Sequence, residues 1–270
     1  MKFYKYIFGG LLLISILFTG CSTLHEGNSF TKRVLFTGDS ITEGELGCSY
    51  LQLIEEQFPD YELVNLGQDG DTLSGIMNRT IEHLQQDSSY DLIVIVAGHN
   101  DIILPDFARK TDTHRLIVDG MAKKGSVPAA DFDEFISTYE SLIDSVQRLV
   151  DTPIVVTTMS CLNEDLSAST NKQRAVYNRG IRTLAADKDI GLADVAAQFN
   201  SRLNELDCRD YFMDDLMHSA LFGRMNSKTP ERTDKLSRER KLHLTIDGIH
   251  LNSEGAKIYS SVLSAVLAEL

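Results

Sequence analysis

The chain has 270 residues, of which 43% are hydrophobic and 24% charged, with a net charge of −13. That composition is ordinary for a folded protein and excludes a disordered or collagen-like chain. The negative field argues against nucleic acid as the main partner and against broad electrostatic adhesion to an anionic membrane.

The first residues depart from the rest. Lys2 and Lys5 form a basic start, and Ile7 to Phe18 is an apolar run of 12 residues. Such a run is too short to span a membrane comfortably and suits the core of a signal peptide. It ends in Leu17-Phe18-Thr19-Gly20-Cys21-Ser22, which resembles a bacterial lipoprotein signal. That resemblance implies a signal peptide over 1–20, lipidation of Cys21, and attachment to the bacterial cell envelope. An ordinary cleaved signal or an uncleaved anchor stands as the alternative, and Phe18 departs from the usual leucine. Residues 21–31 are mostly small and polar and read as a tether, which leaves 32–270 as one domain.

The domain alternates short apolar runs with longer amphipathic ones. Strands are expected at 34–37, 61–66, 92–97, 153–158 and 190–194. The continuous apolar run Leu92 to Ala97 suits a strand buried on both faces. Helices are expected at about 47–57, 72–86, 132–150, 170–187 and 253–269. The last is the clearest: Asn252 or Ser253 caps it, and two rows, Ile258/Val262/Val266 and Tyr259/Leu263/Leu267, run at i+4 spacing. This alternation predicts a three-layer α/β/α fold around a mainly parallel five-stranded sheet. Stretches 102–130 and 201–245 do not fit and read as long functional or mobile insertions.

In such sheets ligands bind outside the carboxyl ends of the strands. The first strand is followed by Gly38-Asp39-Ser40-Ile41-Thr42-Glu43-Gly44, the second by Gly67-Gln68-Asp69-Gly70-Asp71-Thr72, and the third by Gly98-His99-Asn100-Asp101. Asp247-Gly248-Ile249-His250-Leu251-Asn252 directly precedes the final helix. A serine hydroxyl needs a histidine to take its proton, and that histidine needs a carboxylate to hold its tautomer. Asp247 and His250 are three residues apart, so the pair can form within one loop.

Together these four blocks resemble the SGNH hydrolase superfamily of GDSL-type esterases and lipases, over about 34–269. The resemblance implies a flavodoxin-like sheet and hydrolysis of a carboxylic ester through an acyl-enzyme. It implies Ser40 as nucleophile, His250 as base and Asp247 as its partner. It also implies an oxyanion hole from the N–H groups of Ser40 and Gly70 and the side-chain amide of Asn100. Gly70 is preferred to Gly67 because the matching glycine precedes Asp-Thr. Asp39 serves the turn, lines the substrate site or acts directly in catalysis, and Asp101 braces the Asn100 loop or replaces Asp247. His99 resembles the form of this block in esterases that deacetylate polysaccharides, although a buried or substrate-lining histidine without a proton role fits equally.

No cofactor is expected. His25, His83, His114, His218 and His243 show no ligand spacing, so no metal is expected either. Apart from Cys21 the cysteines are Cys48, Cys161 and Cys208, which read as buried free thiols, with one disulfide at most. Residues 224–241 carry seven basic and three acidic side chains, read as a solvated loop or as a rim that attracts an anionic substrate. The preferred substrate is a short acyl ester, such as acetate on a carbohydrate. The alternatives are a lysophospholipase or thioesterase, an O-acyltransferase, and a non-catalytic binding protein. The oligomeric state is not legible.

Overall fold

A computed structural model describes residues 30–227 and 229–270. The signal peptide, Cys21 and all but the last two tether residues lie outside the described residues.

Five strands form the sheet: β1 (Lys32–Gly38), β2 (Tyr61–Gly67), β3 (Leu92–Val96), β4 (Ile154–Thr157) and β5 (Gly191–Ala193). Their order is β2-β1-β3-β4-β5, and every pairing is parallel. This is the flavodoxin-like order, with its reversal between β1 and β3. Eleven helices accompany the described strands: α1 (Ser40–Glu43), α2 (Tyr50–Gln57), α3 (Leu73–Gln86), α4 (His99–Lys110), α5 (Asp112–Ala122), α6 (Phe132–Leu149), α7 (Ser169–Asp187), α8 (Val195–Asn204), α9 (Leu216–Asn226), α10 (Pro230–Glu239) and α11 (Ser253–Leu267). α2, α8 and α11 pack together as one layer, and α3, α6 and α7 as the other. Among the described residues no helix is long and apolar enough to cross a membrane.

The core explains the strand pattern. Val34, Leu35 and Phe36 of β1 and Ile93 to Val96 of β3 are wholly buried, since both strands are flanked on each edge and covered on each face. α11 starts as expected, with the Asn252 side chain accepting the Gly255 N–H at 3.0 Å. Its Tyr259, Leu263 and Leu267 row faces the core, while Ile258 and Val262 line an open groove against α8.

The two stretches read as insertions are largely helical. Residues 102–130 hold most of α4 and all of α5, and 201–245 hold α9 and α10. α4 escaped the sequence reading because it has no clean polar face: His99 to Leu104 are all buried, and Pro105 lies inside the helix. Proline removes one hydrogen bond of the helical ladder and ordinarily signals a break. α8 was also unread.

Candidate active site

The site lies where the sheet order reverses. Ser40 opens α1 directly beyond β1, and Asn100 lies in the first turn of α4 beyond β3. Asp39 caps α1, its Oδ1 accepting the Ile41 N–H at 3.0 Å. This short helix turns the Ser40 side chain to the mouth of the sheet.

His250 and Asp247 come from a small hairpin before α11. Thr245 and Leu251 form an antiparallel bridge, and the Ile246 N–H donates to the His250 carbonyl at 2.8 Å. Between them Gly248 takes φ +96, where a Cβ would stand 2.7 Å from the Tyr211 carbonyl oxygen. A side chain there is blocked both by conformation and by space. Asp247 Oδ1 accepts the backbone N–H groups of Ile249 and His250 at 3.1 and 2.9 Å. That leaves Oδ2 for His250 Nδ1 at 2.7 Å, and His250 Nε2 stands 3.0 Å from Ser40 Oγ. All three side chains are buried or nearly so.

The electrostatics of the pair follow from this geometry. Burial alone would push the His250 imidazole down, but the Asp247 charge and their hydrogen bond outweigh it and hold His250 above its ordinary value. Burial alone would likewise raise Asp247, yet His250 and the two backbone N–H groups hold it below the usual carboxylate range. An ionised Asp247 therefore favours an imidazolium at His250.

Gly70 and Asn100 line the same cavity as His250. Gly70 adopts φ +72 and a Cβ there would collide with Met121 Cε. Gly67 is the less suited glycine, because its N–H already donates to Asn65 Oδ1 at 2.8 Å. Asn100 Nδ2 donates one hydrogen to the Asp71 carbonyl at 2.8 Å. An amide nitrogen carries two hydrogens, so one donor beyond this bond is left on Asn100. Ser40, Gly70, Asn100 and His250 all line a cavity of about 270 Å³. Its other walls are mostly apolar: Leu46, Ile103, Leu104, Ile117, Met121, Met213 and Ile249.

Asp39 and His99 part company. The His99 ring lines the cavity, but Asp39 does not. Both Asp39 oxygens are engaged, Oδ1 with Ile41 and Oδ2 with His99 Nδ1 at 3.1 Å, so the expectation of a substrate-lining Asp39 is corrected. His99 Nε2 stands 3.3 Å from Ser160 Oγ, so each ring nitrogen has a protein partner. Asp101 is a brace: its carboxylate accepts the N–H groups of Leu73 at 2.9 Å and Ala129 at 3.1 Å. Burial pushes this carboxyl up to about 7, and it has no hydrogen bond to His250.

Some supports were not read from the sequence. Arg79 donates to the Leu66 and Gly38 carbonyls, each at 2.9 Å, and pairs with the buried Asp71. It therefore ties the ends of β1 and β2 to the turn that holds Gly70. Glu164 is wholly buried and accepts four hydrogen bonds from residues 243–245, which lead into the hairpin. Both residues act across long stretches of chain, which no local motif reveals. The basic segment 224–241 divides: Arg224 pairs with Glu43, Glu45 and Asp69 at 3.2–3.3 Å, and Asp69 lines the cavity. Arg232, Lys235, Arg238, Arg240 and Lys241 lie on or just after α10. Cys48, Cys161 and Cys208 are free thiols; Cys161 is buried, while the other two are only half-buried.

A family model for GDSL-like lipases and acylhydrolases matches residues 36–258. The chain belongs to that family. It is a carboxylic ester hydrolase of the SGNH type. Solved structures of this fold superpose along most of the chain. The acetyl xylan esterase AlAXEase aligns at TM-score 0.59 and 21% identity, over 87% of this chain and 99% of that one. A catalytic mutant of Axe2, an acetylxylan esterase from Geobacillus stearothermophilus, aligns at 0.58 and 19%, over 87% and 93%. A lipolytic G-D-S-L family protein from Veillonella parvula aligns at 0.56 and 14%, over 88% and 99%. At these identities the likeness establishes the fold alone. Among curated proteins, none matches the sequence.

Proposed function

We propose that this GDSL-type esterase works through Ser40 and removes a short acyl group, such as acetate, from a carbohydrate. The observation that carries the mechanism is the continuous hydrogen-bonded line from Asp247 through His250 to Ser40 Oγ. In this mechanism His250 Nε2 takes the serine proton as Oγ attacks the ester carbonyl. The negative charge that develops on the carbonyl oxygen is met by the N–H groups of Ser40 and Gly70 and the Asn100 amide. His250 then gives its proton to the departing alcohol, leaving an acyl-Ser40. Water attacks this ester by the same route in reverse, its proton passing to His250, and the free acid leaves.

Two features support the substrate. The aligned acetylxylan esterases share the fold, and the cavity is smaller than the roughly 300–1,000 Å³ of drug-sized ligand sites. A second reading has its own support: the cavity walls are aliphatic and methionine-rich, which suits an acyl chain of several carbons. Hydrolysis of p-nitrophenyl esters of increasing chain length separates the two. A kcat/KM that peaks at acetate, together with acetate release from acetylated xylan or pectin, supports the first; a peak at six or more carbons would overturn it. A fluorophosphonate probe should label Ser40, and failure to label would sink the nucleophile itself. Product that forms only with an added sugar acceptor would convert the reading to acyl transfer.

We further propose a lipid anchor at Cys21 that holds the enzyme on the cell envelope. The sequence at 17–22 and the polar tether support it. Cys21→Ala should move the protein from the detergent phase to the aqueous phase on phase partitioning; an unchanged distribution would refute it.

A further inference from the structure

Three chain segments converge beneath the hairpin that carries Asp247 and His250. Glu164 comes from the loop after β4, Cys208 from the connection between α8 and α9, and His243 from the stretch after α10. One ligand atom from each lies within 4.8 Å of the other two. From the geometry we infer that Glu164, Cys208 and His243 form a binding site for a zinc-like divalent cation, separate from the ester-hydrolysing residues.

The first argument is charge. Glu164 is wholly buried, and among the described residues its partners are neutral donors, with no cationic side chain in an ion pair. Buried charges are as a rule paired or bound to a metal. A divalent cation bound by one carboxylate, one thiolate and one neutral imidazole gives a site of zero net charge, which suits a half-buried place. On binding, Cys208 loses its proton to solvent and the metal takes that position on sulfur.

The second argument is the donor geometry. Glu164 Oε1 already takes the Leu244 and Thr245 N–H groups and the Thr245 hydroxyl, at 2.7–2.8 Å. Oε2 takes only the His243 N–H, at 2.7 Å, so it keeps a lone pair. His243 Nε2 lies 3.1 Å from the Asp207 carbonyl. A carbonyl only accepts, so that nitrogen carries the hydrogen and the neutral ring offers Nδ1. An imidazole oriented through its other nitrogen by a backbone carbonyl is the usual second layer of a metal site. Sulfur, nitrogen and one carboxylate oxygen select zinc over magnesium or calcium. Three protein donors and one water complete a tetrahedron.

The test uses the full chain stripped with a chelator and titrated with Zn²⁺ by calorimetry. One ion per chain at micromolar affinity or tighter is expected, with a rise in Tm. Cys208→Ser and His243→Gln should each weaken binding at least about tenfold, while Cys48→Ser binds as wild type. Co²⁺ should give a thiolate charge-transfer band that Cys208→Ser abolishes and Cys48→Ser keeps. Circular dichroism of each variant separates lost binding from lost fold, and His243→Gln supplies a second route should Cys208→Ser misfold. No stoichiometric uptake, equal competition by Mg²⁺, or a cobalt band that survives Cys208→Ser would overturn the site.

Discussion

Two Asp–His–Ser lines meet in this protein. One runs Asp247, His250, Ser40, with contacts of 2.7 and 3.0 Å; the other runs Asp39, His99, Ser160, with contacts of 3.1 and 3.3 Å. They share residue types and hydrogen-bond order. They differ in where the serine ends: Ser40 lines the cavity, whereas Ser160 is wholly buried and does not. They differ too in what holds the aspartate. Asp247 sits three residues from its histidine and takes two backbone N–H groups from the same hairpin, while Asp39 spends its other oxygen on capping α1. A hydrogen-bonded Asp–His–Ser line can therefore arise as packing, and on the proposed mechanism access to an ester together with oxyanion donors separates the reactive line from the structural one.

The sharpest way to break this comparison is to remove each serine. Ser40→Ala should lose on the order of 10⁶ in kcat, read by p-nitrophenyl acetate hydrolysis, while Ser160→Ala stays within about tenfold of wild type. Comparable losses from both would merge the two lines. Next in size, Asp247→Asn should cost about 10⁴ in kcat, because the imidazole loses its tautomer and its counter-charge. The pH profile sharpens this. His250 must be neutral to act as base and is held above its ordinary value, so kcat/KM should rise with pH through an apparent pKa above about 6.5. In Asp247→Asn that limb should move to lower pH; an unmoved limb would mean that another group controls it.

Asn100→Ala should cost about 10²–10³ in kcat with little change in fold, checked by kinetics beside a thermal melt. His99→Ala should affect stability more than the chemical step. It strips a buried Asp39 oxygen of its partner, a loss of about 1–3 kcal/mol, while kcat falls by less than about tenfold. A loss in kcat as large as that of His250→Ala would show that the second line also moves protons. Smallest is Arg224→Ala. Its pairs lie near the surface and should contribute no more than about 1 kcal/mol each, so a shift in KM and its salt dependence is expected at nearly constant Tm.

The two lines were unequally legible in the sequence. Asp247 and His250 could be read because both lie on one short segment before a capped helix, and Ser40 because it follows an apolar strand. The central strands β1, β3 and β4 were legible because burial on both faces writes itself as a continuous apolar run. The contact between Asp39 and His99 joins residues sixty apart, and sequence left their roles open. α4 was missed because a helix buried around most of its girth loses its polar stripe, and Pro105 masked the rest; α5 buries only His114 and Val118 and so shows little apolar periodicity. Arg79 and Glu164 left no trace, because a brace across the fold has no periodicity. The same limit hid Glu164, Cys208 and His243, whose proximity depends on three separate connections.

The direction of β1 sets where the preceding chain joins the domain. The strand enters at Lys32 and delivers the chain to Ser40 at its far end. Seven residues at about 3.3 Å each set the two ends about 20 Å apart. On the proposed anchoring at Cys21, the attachment would lie at the end of the sheet opposite the mouth.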